Sequence, residues 1–85
     1  MNDFEQGNIH YMAKEYYEAS ECYKRAIEQD PSNYVIWHNL GITYCQLGQD
    51  EEALKCFELP CSHGYAESWL SRGTALRSLG RYKDA

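Results

Sequence analysis

WHNLGITYCQLGQDEEALKCF, running from Trp37 to Phe57, decides the fold. Its large apolar residues Trp37, Leu40, Tyr44 and Leu47 step by three and four, which sets them on one face of a helix. Gly48-Gln49 breaks that stripe, and Ala53, Leu54 and Phe57 begin a second one. Asp50, Glu51 and Glu52 stand where the second helix starts, and negative charge there suits the positive end of a helix dipole. The stretch predicts two helices joined by a tight turn.

The same pattern lies on both sides of it. Gly7, Ala19, Cys22 and Tyr23 precede Gly41, Ala53, Cys56 and Phe57 by a common 34 residues. Gly41, Leu47, Gly48 and Ala53 return as Gly73, Leu79, Gly80 and Ala85 at a spacing of 32. Self-similarity of this period marks a helical repeat array. Tyr16, Ala19, Tyr23, Ala26 and Ile27 form the stripe of the first unit's second helix, and Asp30-Pro31-Ser32-Asn33 ends it. Glycine costs a helix interior about 1 kcal/mol relative to alanine, so Gly7, Gly41 and Gly73 predict close packing between the two helices of each pair.

Composition narrows the function classes. The 85 residues make one small domain, and 44% hydrophobic with 14% aromatic residues is too much burial potential for a disordered tail. A net charge of −5 argues against nucleic-acid binding. Residues 1–66 carry eleven acids and four bases, whereas four bases and two acids follow. No apolar run is long enough for a membrane span. The four cysteines show no disulfide framework and suit a reducing, cytoplasmic setting.

Trp37, Leu40-Gly41, Tyr44, Ala53 and Phe57, preceded by Asp30-Pro31, resemble a tetratricopeptide repeat. Gly7, Tyr16, Ala19, Tyr23, Ala26 and Pro31 match it in the first unit. The resemblance implies an all-α superhelix, with repeats at about 1–33 and 34–65 and a truncated one at 66–85. It also implies a concave groove lined by the first helix of each pair, and a scaffold or adaptor that binds a peptide or a partner helix. The alternative is a segment that orients substrate for a larger transferase or ligase. A fold names a style of binding and no partner.

Two places depart from the pattern. Pro60 replaces the counterpart of Ala26, and a proline inside a helix costs about 3 kcal/mol, so that helix is expected to end near Leu59 or kink. Cys56-Phe57 with His63-Gly64-Tyr65-Ala66-Glu67 is similar to a Sel1-like junction, which implies a displaced third helix. After Gly80-Arg81-Tyr82 a further helix is expected to begin and then stop. Trp69, Leu76, Leu79 and Tyr82 then lack a capping element. Either the array is longer than this chain, or that face meets another chain, self-association included.

Counting from each glycine places Phe4, Asn8, Tyr11 and Met12 in the groove, then Val35, His38, Asn39, Ile42 and Cys45, then Leu70, Ser71, Thr74 and Arg77. Asn8, Met12, His38, Asn39, Ile42, Leu70, Ser71 and Thr74 are the candidate peptide-binding residues, because amide, imidazole and hydroxyl groups between apolar ones suit an extended backbone. The resemblance brings in the carboxylate clamp, which grips acidic chaperone tails with two asparagines and three bases. Asn8 and Asn39 match its asparagines, but Phe4, Glu67 and Ser71 hold the basic places, so no such tail is expected. Asn39 also fits an asparagine ladder, which Glu5 and Ser71 break.

Cys56, Cys61 and His63 could be soft-metal ligands, but their spacing is not a CxxC pair, and half-buried thiols are the expectation. No metal, cofactor or catalytic residue is assigned. His10, His38 and His63 lie far apart along the chain, without a nucleophile turn or phosphate loop.

Overall fold

The computed structural model describes residues 2–84, with side chains through Gly80. Five helices follow one another: α1 (Asp3–Met12), α2 (Tyr16–Gln29), α3 (Tyr34–Gln46), α4 (Asp50–Ser62) and α5 (Ala66–Asp84). Each packs against the next, and α3 also reaches α5. Asn2 caps α1 by accepting from the Glu5 N–H at 2.8 Å, and Asn33 caps α3 through the Val35 N–H at 3.1 Å. The acidic first turn of α4 and the Asp30–Asn33 break both stand where the sequence puts them.

The repeat glycines work by receiving a ring. A Cβ on Gly7 would stand 2.6 Å from Tyr23 Cε1, and one on Gly41 would stand 2.8 Å from Phe57 Cδ1. Tyr23 and Phe57 thus lie flush on the backbone of the preceding helix, with Ala19 and Ala53 fully buried beside them. One core joins Ala19, Tyr23, Ala26, Ile36, Leu40 and Cys56, and a second joins Ala53, Phe57 and Cys61. Gly73 breaks the rule, since among the described residues outside its own helix backbone no atom lies within 4 Å of its would-be Cβ.

α1, α3 and α4 close in the same manner. Lys14, Gly48 and Gly64 sit at φ 63°, 76° and 75°, and the next N–H reaches back over a full turn. Glu15 donates to His10, Gln49 to Tyr44 and Tyr65 to Pro60, at 2.8, 2.8 and 3.0 Å. Lys14 alone makes this left-handed turn with a side chain, which costs roughly 1–2 kcal/mol. Lys14→Gly is therefore expected to raise Tm by a few degrees, and Gly48→Ala or Gly64→Ala to lower it by a similar amount, in a thermal melt followed by circular dichroism.

Two expectations are corrected. α4 continues through Pro60 to Ser62 and does not stop near Leu59. Proline there removes one hydrogen bond near the helix end, while its buried ring fills space and its carbonyl accepts from Tyr65. The turn at Gly80 is also absent, because α5 runs on to Asp84 as one helix. Gly80 has helical backbone within α5, unlike Gly48, which turns at φ 76°. Trp69 and Leu76 are exposed as expected and Leu79 is half-buried. Tyr82 and Ala85 lie outside the residues whose side chains are described.

Candidate functional site: a cleft between the first helices

α3 has one edge on α1 and another on α5. At the first edge Asn39 Nδ2 donates to Asn8 Oδ1 at 3.2 Å, and the Tyr23 hydroxyl donates to the same oxygen. Burial pushes the Tyr23 phenol up to about 12, so it stays protonated and keeps that bond. Both lone pairs of Asn8 Oδ1 are occupied, which leaves its Nδ2 to donate and Asn39 Oδ1 to accept. A donor and an acceptor side by side match the edge of an extended peptide.

Between the two edges lies a cleft of about 230 Å3, lined by Tyr11 of α1, Ile42, Cys45 and Gln46 of α3, and Ser71 and Thr74 of α5. Three separate helices supply its walls, so it exists only when they are stacked. Burial, with Asp50 nearby, pushes the Cys45 thiol up to about 11, so it lines the cleft as a neutral group. Gln46, which donates to the Tyr11 hydroxyl at 3.5 Å, was not among the residues counted into the groove. Its place one turn after Ile42 was the available signal.

The eight candidates separate. Ile42, Ser71 and Thr74 line the cleft, and Asn8 and Asn39 meet beside it. Met12 and Leu70 stand out in solvent at 82% and 76% exposure, away from the lining. His38 is 5% exposed and belongs to the second edge, where Nδ1 lies 2.6 Å from Ser68 Oγ. Phe4, also counted into the groove, packs against Tyr23 with ring centroids 6.0 Å apart. His38 is thus corrected from a groove residue to a helix-packing one, because α5 lies across its side of α3.

Hydroxyl, imidazole and carboxylate meet at that edge, since Glu67 Oε2 is 3.9 Å from His38 Nε2. Ser68 is 0% exposed, so no substrate reaches its hydroxyl. Burial holds the His38 imidazole below the ordinary histidine value of 6.5, and the Glu67 carboxylate opposes this more weakly. The unfolded chain therefore takes up the proton first as pH falls. Stability from neutral His38 is present above pH 6.5 and lost as the pH drops toward the folded value. Tm is expected to fall between pH 7.5 and 5.5, and His38→Gln to flatten that slope.

The proposed metal ligands do not converge. Cys56 and Cys61 are buried, His63 stacks on Tyr34 at 4.9 Å, and among the described residues no three potential ligands cluster. The thiols of all four cysteines are free. No helix among the described residues is long and apolar enough to cross a membrane.

Stacked helix pairs with this glycine and aromatic register match known proteins. Two family models described as tetratricopeptide repeat match residues 4–33 and 22–55. The chain carries tetratricopeptide repeats. It is 34% identical over 84 residues to a Protein STIP1 homolog of Dictyostelium discoideum, covering 94% of this chain and 14% of that protein. It is 36% identical to the small glutamine-rich tetratricopeptide repeat-containing protein 2 of Mycosarcoma maydis, covering 94% of this chain and 23% of that protein. The chain thus spans less than a quarter of either relative. The first tetratricopeptide domain of Spaghetti (RPAP3), solved with the HSP90 peptide SRMEEVD, superposes with a TM-score of 0.88 at 26% identity. That match covers 95% of this chain and 66% of the other. The repeats' first helices, α1, α3 and α5, are the ones that wall the cleft.

Proposed function

We propose that this chain is a protein-interaction adaptor segment, without catalysis of its own, which holds an extended peptide of a partner protein in the cleft between α1, α3 and α5. The Asn8–Asn39 pair carries the reading, because it sets a free amide donor and a free carbonyl acceptor beside a neutral, half-apolar cleft. A related domain of the same fold holds a peptide, which supports the mode of binding.

The peptide differs from that relative's. Phe4, Glu67 and Ser71 occupy the three basic places of a carboxylate clamp, and Phe4 is committed to packing on Tyr23. A free acidic terminus would meet Glu67 and no cation at those places, which favours a neutral or basic segment. The same reading divides the repeats near residues 33 and 65, with a Sel1-like junction where the second unit is two residues shorter. Free thiols suit the cytosol. The exposed Trp69 and Leu76 stripe of α5 takes a further helix, of the same or a second chain.

Selection from a random peptide library on the immobilised chain tests the function. Peptides recovered are expected to lose at least tenfold in affinity against an Asn39→Ala, Ile42→Asp variant. SRMEEVD is expected to bind the chain more weakly than it binds a Glu67→Lys, Ser71→Arg variant. Selected peptides indifferent to Asn39 and Ile42 would refute the cleft as the site.

A further inference from the structure

A second concavity lies on the other side of α3. Trp37, Leu40 and Tyr44 point about half a helical turn away from Ile42, Cys45 and Gln46, so it shares no residue with the cleft. Its volume is about 280 Å3. Trp37, Leu40 and Tyr44 form one wall, Ile27 of α2 and Cys56 of α4 lie opposite, and Lys24, Glu52 and Lys55 stand at the mouth. Leu40 and Cys56 are buried, and burial pushes the Cys56 thiol up to about 12, which makes the floor neutral and apolar. The Trp37 indole is fixed by donating to the Pro31 carbonyl at 2.7 Å.

Size and charge select the occupant. The space lies just below the roughly 300–1,000 Å3 of sites that enclose a cofactor or drug-sized ligand and, like the smaller cleft, takes a side chain of a peptide that runs across it. Lys24, Lys55 and Glu52 stand at the mouth, and Glu21 beside Lys24 balances that lysine, so Lys55 is the cation left to select a partner. Lys24 rests over the Tyr44 ring and 3.6 Å from Glu21, whereas Lys55 has no ion-pair partner among the described residues. An apolar pocket with an unpaired ammonium at its lip is complementary to an apolar side chain beside a carboxylate.

We propose that this pocket, bounded by α2, α3 and α4, is a second docking site that seats one aromatic or aliphatic anchor flanked by an acidic residue of a partner protein. The two sites then prefer opposite charge, acidic segments here and neutral or basic ones in the cleft. One adaptor segment can hold two different segments at once.

The probe is the peptide acetyl-Glu-Phe-Glu-amide, titrated into the 15N-labelled chain while both indole N–H resonances are followed. The Trp37 signal is expected to shift saturably while that of exposed Trp69 stays. Lys55→Glu, at an exposed position, is expected to weaken binding at least fivefold with unchanged circular dichroism. Acetyl-Gln-Phe-Gln-amide is expected to bind at least fivefold more weakly than the acidic peptide. Ile42→Asp, which injures the cleft, is expected to leave the titration unchanged, so failure of either site is read separately. No saturable shift of Trp37, equal binding of the uncharged peptide, or a loss on Ile42→Asp matching that on Lys55→Glu would overturn the proposal.

Discussion

Gly41→Ala is expected to lower the melting temperature by about 10 °C, and the same change at Gly73 to raise it. Both glycines lie inside helices, so each gains about 1 kcal/mol of helix propensity on becoming alanine. What differs is the space beside them. The new methyl on Gly41 would press into the Phe57 ring, which is 0% exposed and has nowhere to retreat. Overpacking of this kind costs about 1–3 kcal/mol, and a contact this close belongs at or above the upper end. A net loss of about 2 kcal/mol corresponds to roughly 10 °C in a chain of this size. At Gly73 no described residue opposes the gain, since none outside its own helix backbone stands within 4 Å of its would-be Cβ. Thermal melts of the two variants decide it, and equal shifts would show that the glycines are not there to receive a ring.

Phe57→Ala is expected to do more. The ring fills the space between Gly41 and the His38 edge, with its centroid 5.9 Å from that of the His38 imidazole. Removing a buried phenylalanine costs about 3–5 kcal/mol, because the cavity does not collapse fully. At roughly 0.05–0.15 kcal/mol per residue the whole chain holds about 4–13 kcal/mol, so one truncation removes a large part of it. α5 packs chiefly on α4, and loss of the α3–α4 contact should release it as well. Urea titration is expected to show a transition at much lower denaturant, with helicity already reduced in buffer. Tyr23→Phe keeps its ring on Gly7 and loses only the hydroxyl bond to Asn8, so it should cost about 1 kcal/mol. A similar cost for the two changes would mean that ring packing is not what joins the helix pairs.

The cleft was legible in outline. Ile42, Ser71 and Thr74 follow from counting along each helix from its glycine, because side-chain direction within one helix is fixed by its 3.6-residue period. Met12 and Leu70 have the same helical direction as the lining residues but extend into solvent clear of the cleft. His38 has the periodicity of a groove residue, and only the arrival of α5 over it, with Ser68 at hydrogen-bond distance, turns it inward.

By itself the sequence determined the helices, their order and most of their ends. These depend on forces acting within a few residues: apolar spacing, the Asn2 and Asn33 caps, and the backbone freedom of Gly48 and Gly64. Tertiary structure decided whether Pro60 ends a helix and whether His38 faces the groove or α5. In each case the local cost is a few kcal/mol at most. A neighbouring helix that buries a ring outweighs it.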